Sequence, residues 1–391
     1  MIHAIVILVV MVVLMPHLTA AATWRVERDG TGDFVVLQDA VDAAESGDTI
    51  LIGPGRYPET TEFDYFYGRT LPCSIRLEKS LTIVGAGKDA TFIEPEPEGR
   101  NQFGTYGLAS ISSGLTLSIS DLSFVDCDGM AVLFYMDAAG ELDVHDVETQ
   151  NCWTGVSVAG LDNGSVDSCA FRGILSGGRG VLVFDPIHSL SVTDCVFEGG
   201  YGGVDIHGAN SQDISVQQCQ FTGNSVGVAV FDAARVAIEQ CSFLSNHNRG
   251  IGAERAVDLR IIDNTIEEEE GPGITLARCT GLVVTNNIVY SNVAAIGVYS
   301  PSEGARISGN HILRGADGYS VWALSSYTGP PTDLDFTNNY WGTTDPEEVA
   351  AGILDGNDDS DIRMFVIFEP MADGPVGTET MSFGGVKALF R

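Results

Sequence analysis

The sequence predicts an all-β fold: one right-handed parallel β-helix of about ten coils, with a short capping helix at each end. Two columns of residues carry this prediction. The first runs Leu122, Val147, Cys169, Cys195, Cys219, Cys241, Asn264, Asn287, Asn310 and Asn339, in steps of 22 to 29 residues. The second runs Val132, Val156, Val181, Val204, Val228, Ile251, Ile274, Ile296 and Val321, in steps of 22 to 25. Two columns sharing one period mark a repeat architecture. Short alternating stretches such as "VAVF" and "VVTN" lie between them, broken by Gly, Asn, Asp and Ser, with no long 3.6-residue pattern. Each repeat is then one coil, and equivalent residues stack about 4.8 Å apart.

The elements follow in chain order. The 391 residues open with an apolar run, Ile5–Met15, then Ala20 and Ala22, which reads as a signal peptide over 1–22. Pro16 interrupts the run short of the ~20 apolar residues a spanning helix needs. No membrane span is therefore expected after cleavage, and the expected location is secreted, periplasmic or cell surface. Residues 23–80 read as an N-terminal cap and entry segment. There Leu37, Ala40, Val41 and Ala44 share one face of a short helix that closes the barrel mouth. Coils occupy 81–342. Residues 343–375 read as a C-terminal cap, with Pro346 near the first position of a helix, acidic first-turn residues and Gly356 past its end. A final strand follows in "MFVIFEP". The tail 376–391 is apolar and cationic, unlike the body, and reads either as a sorting or docking tail or as disordered chain.

The phrases "SVDSCAF", "SVTDCVF", "SVQQCQF" and "AIEQCSF" put four cysteines in the slot that asparagines fill later. There a stacked Asn side chain hydrogen-bonds backbone and its neighbours along the column. Sulfurs in a line ~4.8 Å apart cannot make a tetrahedral metal site, and disulfides favour Cβ atoms ~3.8 Å apart. The cysteines are therefore expected to be free and buried, beside Phe171, Phe197, Phe221 and Phe243. Cys127 and Cys152 form a second short column, while Cys73 and Cys279 stand alone.

A net charge of −33 opposes nucleic-acid binding, since phosphates are contacted by Lys and Arg. It suits a soluble exported monomer, or a chain that holds divalent cations.

The stretch Asp29–Glu59, "DGTGDFVVLQDAVDAAESGDTILIGPGRYPE", resembles the entry segment of the pectin lyase-like superfamily, and of pectin methylesterases especially. The Asn-rich coils and "NNYWGTTDPEE" look like bacterial right-handed β-helix repeat proteins. The resemblance implies the fold over nearly the whole mature chain. It implies no particular reaction, because one fold hosts many activities. The methylesterase patterns Gln-Asp-Thr-Leu and Asp-Phe-hydrophobic-Phe-Gly are absent. Of the polygalacturonase motifs, only "HG" at His207 occurs in the coils.

Candidate site residues come from the outer face of the second column. Strand alternation puts Phe184, His207, Phe231, Glu254, Ala277 and Tyr299 outward, with Asp185, Gly208, Asp232, Arg255, Arg278 and Ser300 one position further on. Asp205 points out between Leu182 and Ala229. Asp185 and Asp232, two coils or roughly 9.6 Å apart with Gly208 between them, match the carboxylate separation of inverting glycosidases. The expected catalytic set is Asp185, Asp205, His207 and Asp232. Phe184, Phe231 and Tyr299 are expected to stack on sugars, and Glu254, Arg255 and Arg278 to bind the substrate, the arginines clamping its carboxylates. The plain alternative is an ion pair of Asp232 with Arg255.

Weaker candidates complete the pass. "EEEE" at Glu267–Glu270 reads as a solvated run in a turn. "DGNDDSD" at Asp355–Asp361 spaces oxygens like a calcium loop, but Ser360 replaces the turn glycine and Val366 stands where Glu is needed. Calcium is the one cofactor the sequence suggests, and no other metal site is expected. The aromatics of Glu62–Arg69, "EFDYFYGR", either overhang a groove or pack their loop. His188 reads as exposed and idle. The functional expectation is a protein that acts on or binds polysaccharide, by hydrolysis or lysis of an acidic or neutral glycan. The alternative is a non-catalytic, adhesin-like solenoid.

Overall fold

The computed structural model describes residues 21–65, 68–96, 104–291, 293–315, 318–324 and 326–375, with backbone alone at 136–139. Nearly all of the signal-peptide reading (1–22) and all of the tail (376–391) lie outside the described residues. Among the described residues no helix is long and apolar enough to cross a membrane.

The chain winds into a right-handed parallel β-solenoid. Each coil gives up to three short strands, paired in parallel with their equivalents in neighbouring coils. Wall A holds Arg179–Val183, Gly202–His207, Val226–Phe231, Arg249–Glu254, Ile274–Ala277 and Ala294–Ser300. Wall B includes Leu190–Thr193, Gln212–Gln217 and Ala234–Glu239. Wall C includes Ala170–Arg172, Val196–Glu198, Gln220–Thr222 and Ser242–Leu244. There are about twelve turns, rather than ten. The shortfall has a physical cause: the stack already begins at Thr23–Val26, which pairs with Thr49–Ile52 and through it with Leu81–Gly85. Those first coils carry neither Cys nor Asn in the column, so a count from Leu122 misses them.

Both sequence columns are in register and buried. Val181, Val204, Val228, Ile251, Ile274, Ile296 and Val321 pair one above another on wall A. The other column sits at the bend from wall B to wall C. There the residue before each column member takes a left-handed backbone: Ser168, Asp194, Gln218, Gln240, Asp263 and Asn286 have φ of 52° to 59°. Asp, Asn and glycine tolerate that region best, which accounts for Asp194, Asp263, Asn286, Gly309 and Asn338 ahead of their column members, while Ser168, Gln218 and Gln240 take it as well. The next side chain then turns inward. Asn287 Nδ2 donates to the Thr285 and Ile261 carbonyls at 3.0 and 2.8 Å, and to Asn310 Oδ1 at 2.9 Å. The cysteines occupy the same position with weaker donors: Cys219 Sγ lies 3.2 Å from the Gln217 carbonyl and 3.5 Å from that of Val192. All eight cysteines are free and buried.

Beside them the rings of Phe171, Phe197, Phe221 and Phe243 stack with centroids 4.7–4.8 Å apart and nearly parallel planes. The stack dictates glycine at the second position of the facing wall A strands. A methyl at Gly203 would sit 2.4 Å from Phe221 Cδ1, and Gly155, Gly180 and Gly227 stand in the same relation to the other rings.

Helix α1, Leu37–Ala43, covers the N-terminal mouth with Leu37, Ala40 and Val41 buried. Lys79 Nζ donates to the carbonyls of Val41, Asp42 and Ala44 at its end. Helix α2, Pro346–Ala350, starts on Asp345, whose carboxylate accepts from Glu347 N. Gly356 is not its stop signal, because the strand Ile353–Leu354 intervenes and pairs with Tyr319–Ala323. The final strand, Met364–Ile367, pairs with Thr332–Asp335 in a separate two-stranded sheet.

The run Glu267–Glu270 is not wholly solvated. Glu268 takes the left-handed turn (φ 56°), and Glu269 is fully buried in a second inward column below Asn224 and Asn246. Asn246 Nδ2 donates to Glu269 Oε1 at 2.9 Å, while Oε2 is buried without a partner. Burial pushes this carboxyl up to about 8, against the opposing pull of Asn246. The folded state therefore holds a proton that the unfolded chain, titrating near ~4.3, releases. Stability should fall as pH rises from about 4.5 to 8, by up to ~1.4 kcal/mol per unit, and level off above. Glu269→Gln, isosteric with the protonated acid, should remove this slope. Chemical denaturation of both proteins at pH 5, 6.5 and 8 checks this, since parallel stability curves would contradict it.

Candidate functional site

Wall A is pleated, so every second side chain faces outward. The outward line through its middle is Leu133, Ser157, Leu182, Asp205, Ala229 and Gly252, in continuous register. Two aromatic rails border this floor. On one side Tyr135, Phe184, His207 and Phe231 follow one another, with centroids 5.9, 6.1 and 4.9 Å apart. On the other stand Trp153 and Tyr201, the latter 47% exposed, with the Arg179 guanidinium 4.9 Å above its ring. At the N-terminal end the hairpin Thr61–Tyr65/Arg69–Arg76 packs on the outside of the same wall. Phe63 and Leu71 are buried there against Tyr106, Met130 and Leu133. The described aromatics of Glu62–Arg69 thus pack their loop: Phe63 contacts Tyr65 and Tyr106 edge-on.

Asp205 lies between the rails. It is only 4% exposed although it faces out of the solenoid. Arg179 Nε donates to its Oδ2 at 2.9 Å. His207 Nε2 lies 2.8 Å from Oδ1, at an angle that leaves Oδ1 without a well-directed hydrogen bond. Burial works to raise the Asp205 pKa, but His207 and Arg179 outweigh it and hold the carboxyl below its ordinary value. The group is therefore ionised, positioned from one side and underused on the other. Catalytic contacts in unliganded proteins are often misaligned in this way and tighten when substrate binds.

The other expected site residues fall differently. Asp185 accepts from Asn210 N and Nδ2 and from Ser211 Oγ, at 3.0–3.2 Å, and so ties down the turn of the next coil. The gap expected beside Gly208 is filled by Asp185 itself, since a methyl at Gly208 would sit 1.6 Å from Asp185 Oδ1. Asp185 thus leans over Gly208 and is engaged by the turn of the next coil. Asp232 is paired bidentately with Arg255, at 2.6 and 3.0 Å. That guanidinium holds its carboxyl below the usual range. Glu254 bonds both Arg255 and Arg278, so the expected clamps are tied to protein carboxylates. Tyr299 leaves its column, because a bulge sets Ser300 opposite Ala277. Phe184 and Phe231 keep their expected places.

Arg179, Tyr201, Trp153 and Tyr135 were not among the expected residues. Arg179 was legible in principle, two positions before the Val181 column and one coil before Asp205. His188 Nδ1 pairs with Asp162 at 2.8 Å. In the calcium-like loop, Asp355 is buried and accepts from Asn357 N and Val366 N, and Asp359 accepts from Asp361 N. These carboxylates act as turn acceptors, and no cluster able to hold a metal occurs among the described residues.

Residues 154–312 match the family model described as the right handed beta helix region. No curated protein matches the chain in sequence. Solved structures do. The A-module of a mannuronan C-5 epimerase from Azotobacter vinelandii is 14% identical, with 78% of this chain and 92% of that one covered at a TM-score of 0.53. The tailspike protein of E. coli bacteriophage HK620 is 13% identical, covering 83% and 67% at 0.53. A lacto-N-biosidase from Eubacterium ramulus is 11% identical, covering 82% and 68% at 0.51. At these identities the likeness shows the fold.

The contrast between Asp185 and Asp232 is testable. Asp185→Ala orphans three donors and should lower stability by about 1–3 kcal/mol. Asp232→Asn keeps a residue that tolerates its left-handed backbone (φ 62°) and should hold the melting temperature within about 2 °C. Thermal melts of the two variants check this, and equal losses would contradict it.

Proposed function

We propose that this is an exported, carbohydrate-directed solenoid that binds a polysaccharide between the rails of wall A and acts on it at Asp205 and His207. The observation that carries the reading is Asp205. A carboxylate buried on the outer face, ionised, gripped by Arg179 and set against an imidazole is unnecessary for stacking coils. Burying such a charge also opposes stability unless its partners are well placed. With the His207 proton on Nε2 toward Asp205, Nδ1 is the nitrogen that takes or gives a proton at the substrate. Phe184 and Phe231 stack on the two faces of that ring and hold it in place, and the half-exposed ring of Tyr201 stands across the floor as an apolar platform for a sugar.

The similar solenoids, which include a mannuronan C-5 epimerase and a lacto-N-biosidase, support a carbohydrate-directed reading. The apolar leader supports export to the periplasm, cell surface or medium. A non-catalytic, adhesin-like role is the second reading. It is favoured by the engagement of Asp185 and Asp232 in a turn and an ion pair.

Screening the secreted protein on a polysaccharide panel tests this. His207→Gln should cost at least ~100-fold in kcat, the usual scale for a lost acid–base group, with the melting temperature unchanged. Asp205→Asn should cost a similar factor. Full turnover in His207→Gln would contradict the catalytic reading, and binding without turnover in the wild type would favour the second one.

A further inference from the structure

We infer that wall A takes a neutral, hydroxyl-rich glycan and excludes polyuronates. This rests on wall A being the glycan site, and it names the class of sugar. Recognition of a uronate calls for an available cation, ideally the two-pronged face of a guanidinium. No lysine occurs between Lys88 and Lys387, so arginines supply the positive charge of these coils. On wall A over residues 154–300 they are Arg179, Arg249, Arg255 and Arg278. Arg179 is held by Asp205 and the Gly177 carbonyl. Arg255 is clamped by Asp232 and Glu254, and Arg278 by Glu254. Arg249 lies flat over Gly252, with Nη1 on Thr275 Oγ1 at 3.0 Å and Nε buried.

Against these four guanidiniums stand four carboxylates, Asp185, Asp205, Asp232 and Glu254, in a chain of net charge −33. A polyuronate would meet repulsion, offset only by Arg249, which has no carboxylate partner but has Nε buried and Nη1 engaged by Thr275. The central group also has the wrong polarity for an acid. Asp205 is an ionised acceptor with an oxygen that lacks a well-directed donor. Because Oδ1 is closed to solvent, a ligand meets this pair through the exposed edge of His207: with its proton on Nε2, Nδ1 accepts from a sugar hydroxyl, whereas a carboxylate has no proton to give.

Affinity gel electrophoresis of the full chain separates the possibilities, with galactomannan or β-glucan in one set of gels and polygalacturonate or alginate in another, at low salt and at about 0.15 M. The expected result is retardation by a neutral polymer, unchanged by salt and weakened about tenfold by Tyr201→Ala, with none by the polyuronates. The double variant Asp232→Asn/Glu254→Gln, which frees Arg255 and Arg278, should gain salt-sensitive retardation by polyuronates. Salt-sensitive binding of a polyuronate by the wild type, lost in Tyr201→Ala, would overturn the sugar class and leave the groove standing. Retardation that ignores Tyr201→Ala, or none by any polymer, would overturn the groove itself. Absence of gain in the double variant would overturn the argument from paired cations.

Discussion

Every coil of the solenoid turns on the bend from wall B to wall C. At each bend one residue takes a left-handed backbone and the next side chain turns into the core. From Cys169 to Asn339 that inward group donates to a carbonyl of the coil before it, as Asn264 and Asn287 do through Nδ2 and as the cysteine thiols do more weakly, while Leu122 and Val147 fill the same position by apolar packing alone. Removing such a donor from a coil that has one would leave a backbone acceptor buried and unpaired, at a cost of about 1–3 kcal/mol. Repetition of the bend every 22 to 29 residues sets the register of every strand that follows it.

Register, in turn, decides what wall A presents to solvent. In a pleated strand the outward residues are fixed once the inward ones are. Val204 and Ile206 point in, so Asp205 and His207 must point out, one coil beyond Arg179 and two residues apart on the same face. The Phe stack acts at the other edge of each coil, where its rings require Gly155, Gly180, Gly203 and Gly227. Small residues continue across the floor as Ala229 and Gly252, the latter leaving room for the Arg249 side chain to lie across it. The outward strip of wall A is thus a by-product of core packing onto which a few charged side chains have been set.

This hierarchy explains what the sequence made legible. The periodicity of Cys, Asn, Val and Ile announces the fold, because those residues are inward and repeat with the coil. Asp205 and His207 were legible as outward groups by alternation alone. Their connection to Arg179 was harder to read, since it runs diagonally between coils and depends on a side-chain conformation. Asp185 misled for the same reason: alternation puts it at the end of its strand but cannot say that its carboxylate folds over Gly208 to bind Asn210 and Ser211. Glu269 misled because three acidic neighbours disguise one inward position. Tyr299 was misplaced by a single bulge, which no column count reveals.

Four cysteines stand in the asparagine position, free, inward and in register. In a thiol titration without reductant, the native protein should give almost no reaction and the unfolded chain eight reactive thiols. Fewer than eight in denaturant, signalling disulfides, or rapid labelling of Cys169, Cys195, Cys219 and Cys241 in the native state would contradict it.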